Sequence, residues 1–163
     1  MKTTFKLATL VLSLTAIAAN AQAVRTEKNM SLELANQIAS ATVAACSANG
    51  YNVAAAVVDR AGTLRAFQRA DNAGPHTIGA AQGKAFTSAS AKNTTAAMLE
   101  GVQKTPAAAT LVNIPGFLVL GGGVPVKVGN DVIGAIGVAG APGGHLDEQC
   151  AMVALDKVKE SLK

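Results

Sequence analysis

Tryptophan is absent from this 163-residue chain, tyrosine occurs once and phenylalanine four times. A core without large rings has to be filled mostly by Val, Ile, Leu and Ala, packed closely. Charge is also sparse, with Asp, Glu, Lys and Arg together making up 15% of the residues. There are two cysteines and two histidines. No Cys-x-x-Cys or His-x-x-x-His pair occurs, which excludes the ligand spacings of a zinc site. A nucleophile elbow and a metalloprotease motif are missing too. Gly121-Gly-Gly-Val-Pro is not a phosphate loop, because it lacks the Gly-Lys-Ser/Thr ending and enters a strand rather than a helix. Internal repeats, linkers and low-complexity runs are also lacking.

The first 23 residues read as a targeting segment. Lys2 and Lys6 supply the positive start, residues 7–19 form an apolar run too short for a spanning helix, and Ala21-Gln22-Ala23 offers a cleavage site. The chain is therefore expected to be exported, to a periplasm or beyond, as a mature protein beginning near Val24 without stable membrane insertion. Removing Lys2 and Lys6 from the 14 basic residues leaves 12 against 10 acidic, about +2, well short of a nucleic-acid footprint. The remaining residues, 24–163, suit one domain with one core.

Ser31 is a good N-cap for a helix ending before Gly50, with Leu34, Ile38, Ala41 and Ala45 on its core stripe. Residues 53–59 follow as an apolar strand without alternation, which implies cover on both faces. The turn Asp59-Arg-Ala-Gly-Thr63 returns the chain into a second strand over 64–69. A helix opens at His76 and another spans 95–104. The stretch between Pro106 and Pro115 is irregular, and a strand is expected over 117–120. Strands over 124–128 and 131–138 then form a hairpin through Gly129-Asn130. Asp147 and Glu148 open a terminal helix with Cys150, Val153, Ala154, Val158 and Leu162 on its inner side. Hairpins with helices packed on them make an α+β domain. Cys46 and Cys150 fall in separate helices and either bridge or sit apart as small buried apolar residues.

The run 69–87 carries the most information. Gly74 and Pro75 break the preceding strand, and Pro75 suits a first helical turn because its missing N–H would have no partner there. His76 then sits at the positive end of a helix dipole, which disfavours the imidazolium and leaves a ring nitrogen free to bind a metal. Ile78, Ala81, Gln82, Ala85, Phe86 and Ala89 follow on one side of the helix, mostly small, so that side can lie close to a sheet or a flat ligand.

This helix, the Gly-Gly-Gly-Val-Pro-Val run 121–126, the glycine-punctuated strand 133–140 and Asp147-Glu-Gln-Cys-Ala together resemble the haem-binding, haem-degrading family of the GlcG/HbpS type. The resemblance covers nearly all of the mature chain. It implies a five-stranded antiparallel sheet with helices on both faces, a profilin-like α/β sandwich that assembles into a larger homo-oligomer. It also implies a non-covalent, b-type haem with His76 as the candidate iron ligand. Lys84, within the family's recurrent Lys-Ala-x-Thr, would meet a propionate, and the Gly121, Gly122 and Gly123 backbone would offer N–H groups. The expected function is haem or iron handling or redox sensing, by binding more than by catalysis, with a sensor kinase's extracellular domain as a further partner.

Two other readings stay open. One is an enzyme or accessory protein acting on a small carboxylate or aldehyde without haem, using Lys84 as a nucleophilic amine and His76. The other is a structural oligomer docking on a sensor domain. His145 reads as a surface loop residue or a second ligand, and Arg69 with Asp71 as a structural pair at a strand end.

Overall fold

The computed structural model describes residues 24–163, so the leader reading over 1–23 lies outside the described residues. The elements in chain order are α1 (Leu32–Ser47), β1 (Ala54–Asp59), β2 (Leu64–Arg69), α2 (His76–Ala91), α3 (Thr95–Lys104), a 3-10 stretch (Pro106–Asn113), β3 (Gly123–Val128), β4 (Asp131–Ala139), α4 (Gly144–Lys157) and a last 3-10 turn (Lys159–Leu162). The strands form one antiparallel sheet in the order β2-β1-β4-β3.

Local chemistry sets most of these boundaries. Ser31 caps α1 by accepting the Leu34 N–H at 3.2 Å. The β1–β2 turn is tied by the Asp59 carboxylate, which accepts the N–H groups of Ala61 and Thr63 at 3.0 Å each. Pro75 precedes α2, and His76 is its first helical residue.

The sheet has two unlike faces. On one, α1 and α4 cover branched side chains: Val57, Ile133, Ile136, Val138, Val124 and Val126 meet Leu34, Ile38 and Ala151. On the other, α2 lies on a carpet of alanines, with Ala54, Ala56, Ala135 and Ala139 against Ala81, Ala85 and Ala89. The helix comes so close that a Cβ on Gly137 would stand 2.0 Å from the Ala81 carbonyl oxygen. Small side chains on both surfaces are the condition for that distance.

Five features depart from the sequence reading. The sheet has four strands, not five. Segment 117–120 joins no strand because its backbone groups are spent on side chains of other elements. The Leu118 N–H donates to the Thr87 hydroxyl at 2.7 Å, and the Leu120 carbonyl accepts from the Thr95 hydroxyl at 2.7 Å. The last helix begins at Gly144, earlier than expected, so Asp147 lies inside its first turn and is buried, while Val153 faces out. On α2, Ile78 and Gln82 face solvent, and Thr77, Lys84, Thr87 and Ser88 join the alanines inside. Arg69 does not pair with Asp71, since its guanidinium donates to the Ala73 carbonyl instead.

Cys46 of α1 and Cys150 of α4 form a disulfide, with Cα atoms 5.3 Å apart and a sequence separation of 104. The bridge resolves the choice left open by the sequence and locks the two helices of one layer together. Removing it with a reductant, or by Cys46→Ala with Cys150→Ala, is expected to cost about 2–5 kcal/mol of stability, because so long a loop is freed in the unfolded chain. Urea unfolding with and without reductant measures that loss.

Candidate functional site

Lys84 lies mid-way along α2 and points into the protein. Its residue exposure is 2%, as is that of Asp147, which reaches it from α4. The ammonium meets Asp147 Oδ2 at 2.7 Å and donates to the Val138 carbonyl at 2.8 Å. The other carboxylate oxygen, Oδ1, accepts the Ala141 N–H at 3.0 Å. Burial pushes the Asp147 carboxyl up from its ordinary value, and the hydrogen bond and charge of Lys84, with the Ala141 N–H, hold it back.

The glycine triplet closes over this pair. A Cβ on Gly122, whose φ is +116°, would come within 3.0 Å of Lys84 Nζ and 2.8 Å of Asp147 Cβ. A Cβ on Gly123 would come within 2.5 Å of the Lys84 carbonyl oxygen. The Gly123 N–H is already taken by the Thr95 hydroxyl at 2.8 Å. Lys84, Gly122 and Gly123 are thus brought together as the sequence suggested, but inside the protein. Lys84 is buried with both observed partners internal, so it has no open face with which to meet an outside carboxylate or carbonyl.

Cavities lie on either side of this core. The first runs along the outer face of α2, has a volume of about 510 Å³, and is walled by Val58, Leu64, Phe86, Phe117 and Leu118, with Gly79 and Gly83 as its floor. Phe86 and Phe117 meet edge-on, with ring centroids 6.1 Å apart. Gly79 is unlike most other glycines of the chain, because nothing lies within 4 Å of where its Cβ would be. A glycine inside a helix costs about 1 kcal/mol against alanine, and no neighbour here requires that cost. His76 is three residues before Gly79, a spacing that makes them neighbours on the helix surface. The histidine is exposed, its ring stacks over Gly74, and it lines a polar notch of about 290 Å³ with Tyr51, Asn52, Asn72 and Gly140.

The second groove, about 680 Å³, lies between α3 and the start of α4, walled by Ala96, Leu99, Leu120 and Met152. Gly121 and His145 line it together with Glu100 and Glu148. Neither it nor Asp147's role was apparent in the sequence, where Asp147 and Glu148 look like ordinary helix-start acids. The one available signal was their adjacency: neighbouring positions on a helix point about 100° apart, so one acid faces the core when the other faces out. Burial also raises the Glu148 carboxyl above its ordinary range.

Among the described residues, no group of three or more His, Cys, Asp or Glu side chains is arranged to hold a metal ion, and no helix is long and apolar enough to cross a membrane. Both cysteines are in the disulfide.

A family model described as "Haem degrading protein HbpS-like" matches residues 30–156. Protein GlcG of Escherichia coli K12 is 38% identical over 110 residues, spanning 65% of this chain and 81% of GlcG. A crystal structure of a double mutant of HbpS from Streptomyces reticuli superposes with a TM-score of 0.80 at 37% identity, covering 90% of this chain and 99% of that one. The crystal structure of Klebsiella pneumoniae protein ORFY gives 0.75 at 30% identity, covering 82% and 93%.

Two outcomes test the buried centre. Asp147→Asn leaves the Lys84 ammonium buried without its counter-charge and is expected to cost about 3–5 kcal/mol, whereas Lys84→Met combined with Asp147→Leu recovers most of that loss; urea unfolding reads both. Glu148 has no such partner, and burial alone sets the direction of its shift. A carboxyl raised by folding contributes stability that is fully present below the ordinary glutamate range and is lost as pH rises through its raised value. Glu148→Gln is therefore expected to gain stability over the wild type at pH 8, with the difference narrowing toward pH 4 in the same unfolding measurement.

Proposed function

Because this chain belongs to the HbpS-like family, we propose that it is a haem-binding protein whose macrocycle lies in the groove along α2. The observation that carries this reading is Gly79, a helix-interior glycine with open space where a side chain would be, placed in an apolar groove one turn from His76.

The residues present fit a haem. Leu64, Phe86, Phe117 and Leu118 supply apolar walls, and the open face at Gly79 lets a flat ring approach the helix backbone. His76, one turn before Gly79, lines the neighbouring polar notch and is the candidate imidazole ligand. No carboxylate lines this groove to repel the propionates. Since no thiol is free for thioether attachment, the haem is held non-covalently. Haem held there would supply an iron centre able to bind a ligand and change oxidation state, with His76 as the side chain that would hold it. The protein binds the ring by burying it, orients it through His76, and excludes water with the two phenylalanines. Lys84 acts indirectly in this reading, fixing α2 against α4 rather than meeting a propionate. Export through the leader, assembly of several copies, and a role in haem or iron handling or redox sensing belong to the same proposal.

Hemin titrated into the protein should give a saturable Soret band. His76→Ala should weaken binding about tenfold or more and shift the band, since an axial bond is lost. Gly79→Leu should keep the circular dichroism of the wild type and still lose hemin, because it fills the groove from an open position. His145→Ala should change neither. Loss of hemin in His145→Ala alone would move the site to the other groove, and a wild type that fails to saturate would end the haem reading.

A further inference from the structure

We propose that the groove between α3 and α4 is a second binding site, for a small molecule that carries an amine on an apolar body. The decisive atom is Glu148 Oε2. It is buried yet has no hydrogen-bond partner, alone in this respect among the buried side-chain nitrogens and oxygens of the described residues. A polar atom withdrawn from water and left unpaired is costly, so proteins rarely keep one without a use. Glu148 cannot turn inward for a partner, because the neighbouring Asp147 occupies the inner side of α4 and has Lys84 and the Ala141 N–H for itself.

The rest of the groove states what the missing partner is. Its walls are Ala96, Leu99, Leu120 and Met152, and the last two are about half exposed, at 47% and 54%. These surfaces favour a hydrocarbon body. The acidic groups lining it are Glu100 and Glu148, and no lysine or arginine lines it. The nearest cation on α3, Lys104, is paired with Glu100 at 3.1 Å on the solvent side. His145 stands at the rim as the other titratable group. Oε2 is closed to water in the unliganded protein, so an ammonium head meets it by a turn of the half-buried Glu148 side chain toward the groove and then satisfies it by a charge-assisted hydrogen bond, whereas a carboxylate in the same place meets two acids. The two grooves share no lining residue, so this site does not depend on the haem reading.

The test is calorimetric titration of the full chain, without hemin, with hexylamine, hexan-1-ol and hexanoate at pH 8. Hexylamine should saturate one site per chain, hexan-1-ol should bind about tenfold or more weakly, and hexanoate should not bind. Glu148→Gln should weaken hexylamine about tenfold or more, and Met152→Ala should weaken it to a lesser degree. His76→Ala should leave it unchanged, which keeps this result apart from that of the hemin titration. In the wild-type protein, the Glu148 carboxyl carbon resonance should move on adding hexylamine, a readout that needs no variant to fold. Equal binding of the alcohol or the acid, an unchanged affinity in a folded Glu148→Gln, or a second copy of the chain covering the groove and excluding hexylamine would each overturn the proposal.

Discussion

The Lys84–Asp147 pair is the interaction around which the other parts are arranged. It ties α2, on one face of the sheet, to α4, which packs on the other, and it takes in the Val138 carbonyl at the end of β4 on the way. Two charges so deeply buried are tolerated only when their remaining hydrogen-bonding capacity is also met. The Ala141 N–H meets part of it here, and the glycine corner above excludes competing water by leaving no side chain to hold the walls apart. The geometry of both grooves follows from this clamp, since one is built on the outer face of α2 and the other on the first turns of α4.

The two layers solve the shortage of aromatic side chains differently. Where α1 and α4 cover the sheet, branched residues fill the space and a disulfide fixes the distance. Where α2 covers it, there is almost nothing to fill, because alanine meets alanine and a glycine admits the helix backbone itself. Close approach there gains contact without volume. It also leaves the large side chains of the α2 region, Phe86 and Phe117, free to stand at the surface as groove walls.

Much of the fold was legible in the sequence because its signals are local. Ser31 as a cap, Gly62 and Gly129 as turn residues, and Pro75 ahead of a helix each act within a few positions, and each stands where it was expected. The misjudged parts depend on distant partners. Segment 117–120 has the composition of a strand, but Thr87 and Thr95 claim its backbone from elsewhere in the chain. Lys84 has the spacing of a helix-edge cation and is drawn inside by an aspartate 63 residues away. The sequence drew attention to Lys84 and the 121–123 glycines, which the fold gathers into a closed interior, whereas the direction in which each side chain faces depended on pairings that periodicity does not encode.

The bridge between Cys46 and Cys150 has a topological effect beyond its energetics. It converts the stretch that holds every strand of the described residues, α2 and α3 into a covalent ring, with most of α1 and the second half of α4 outside it. A single cut by a protease anywhere within that ring, including the irregular segment before the glycine corner, opens a loop and releases no fragment. A molecule nicked there keeps its two pieces tethered through the bridge, so one broken peptide bond does not by itself part the strands of the sheet from one another.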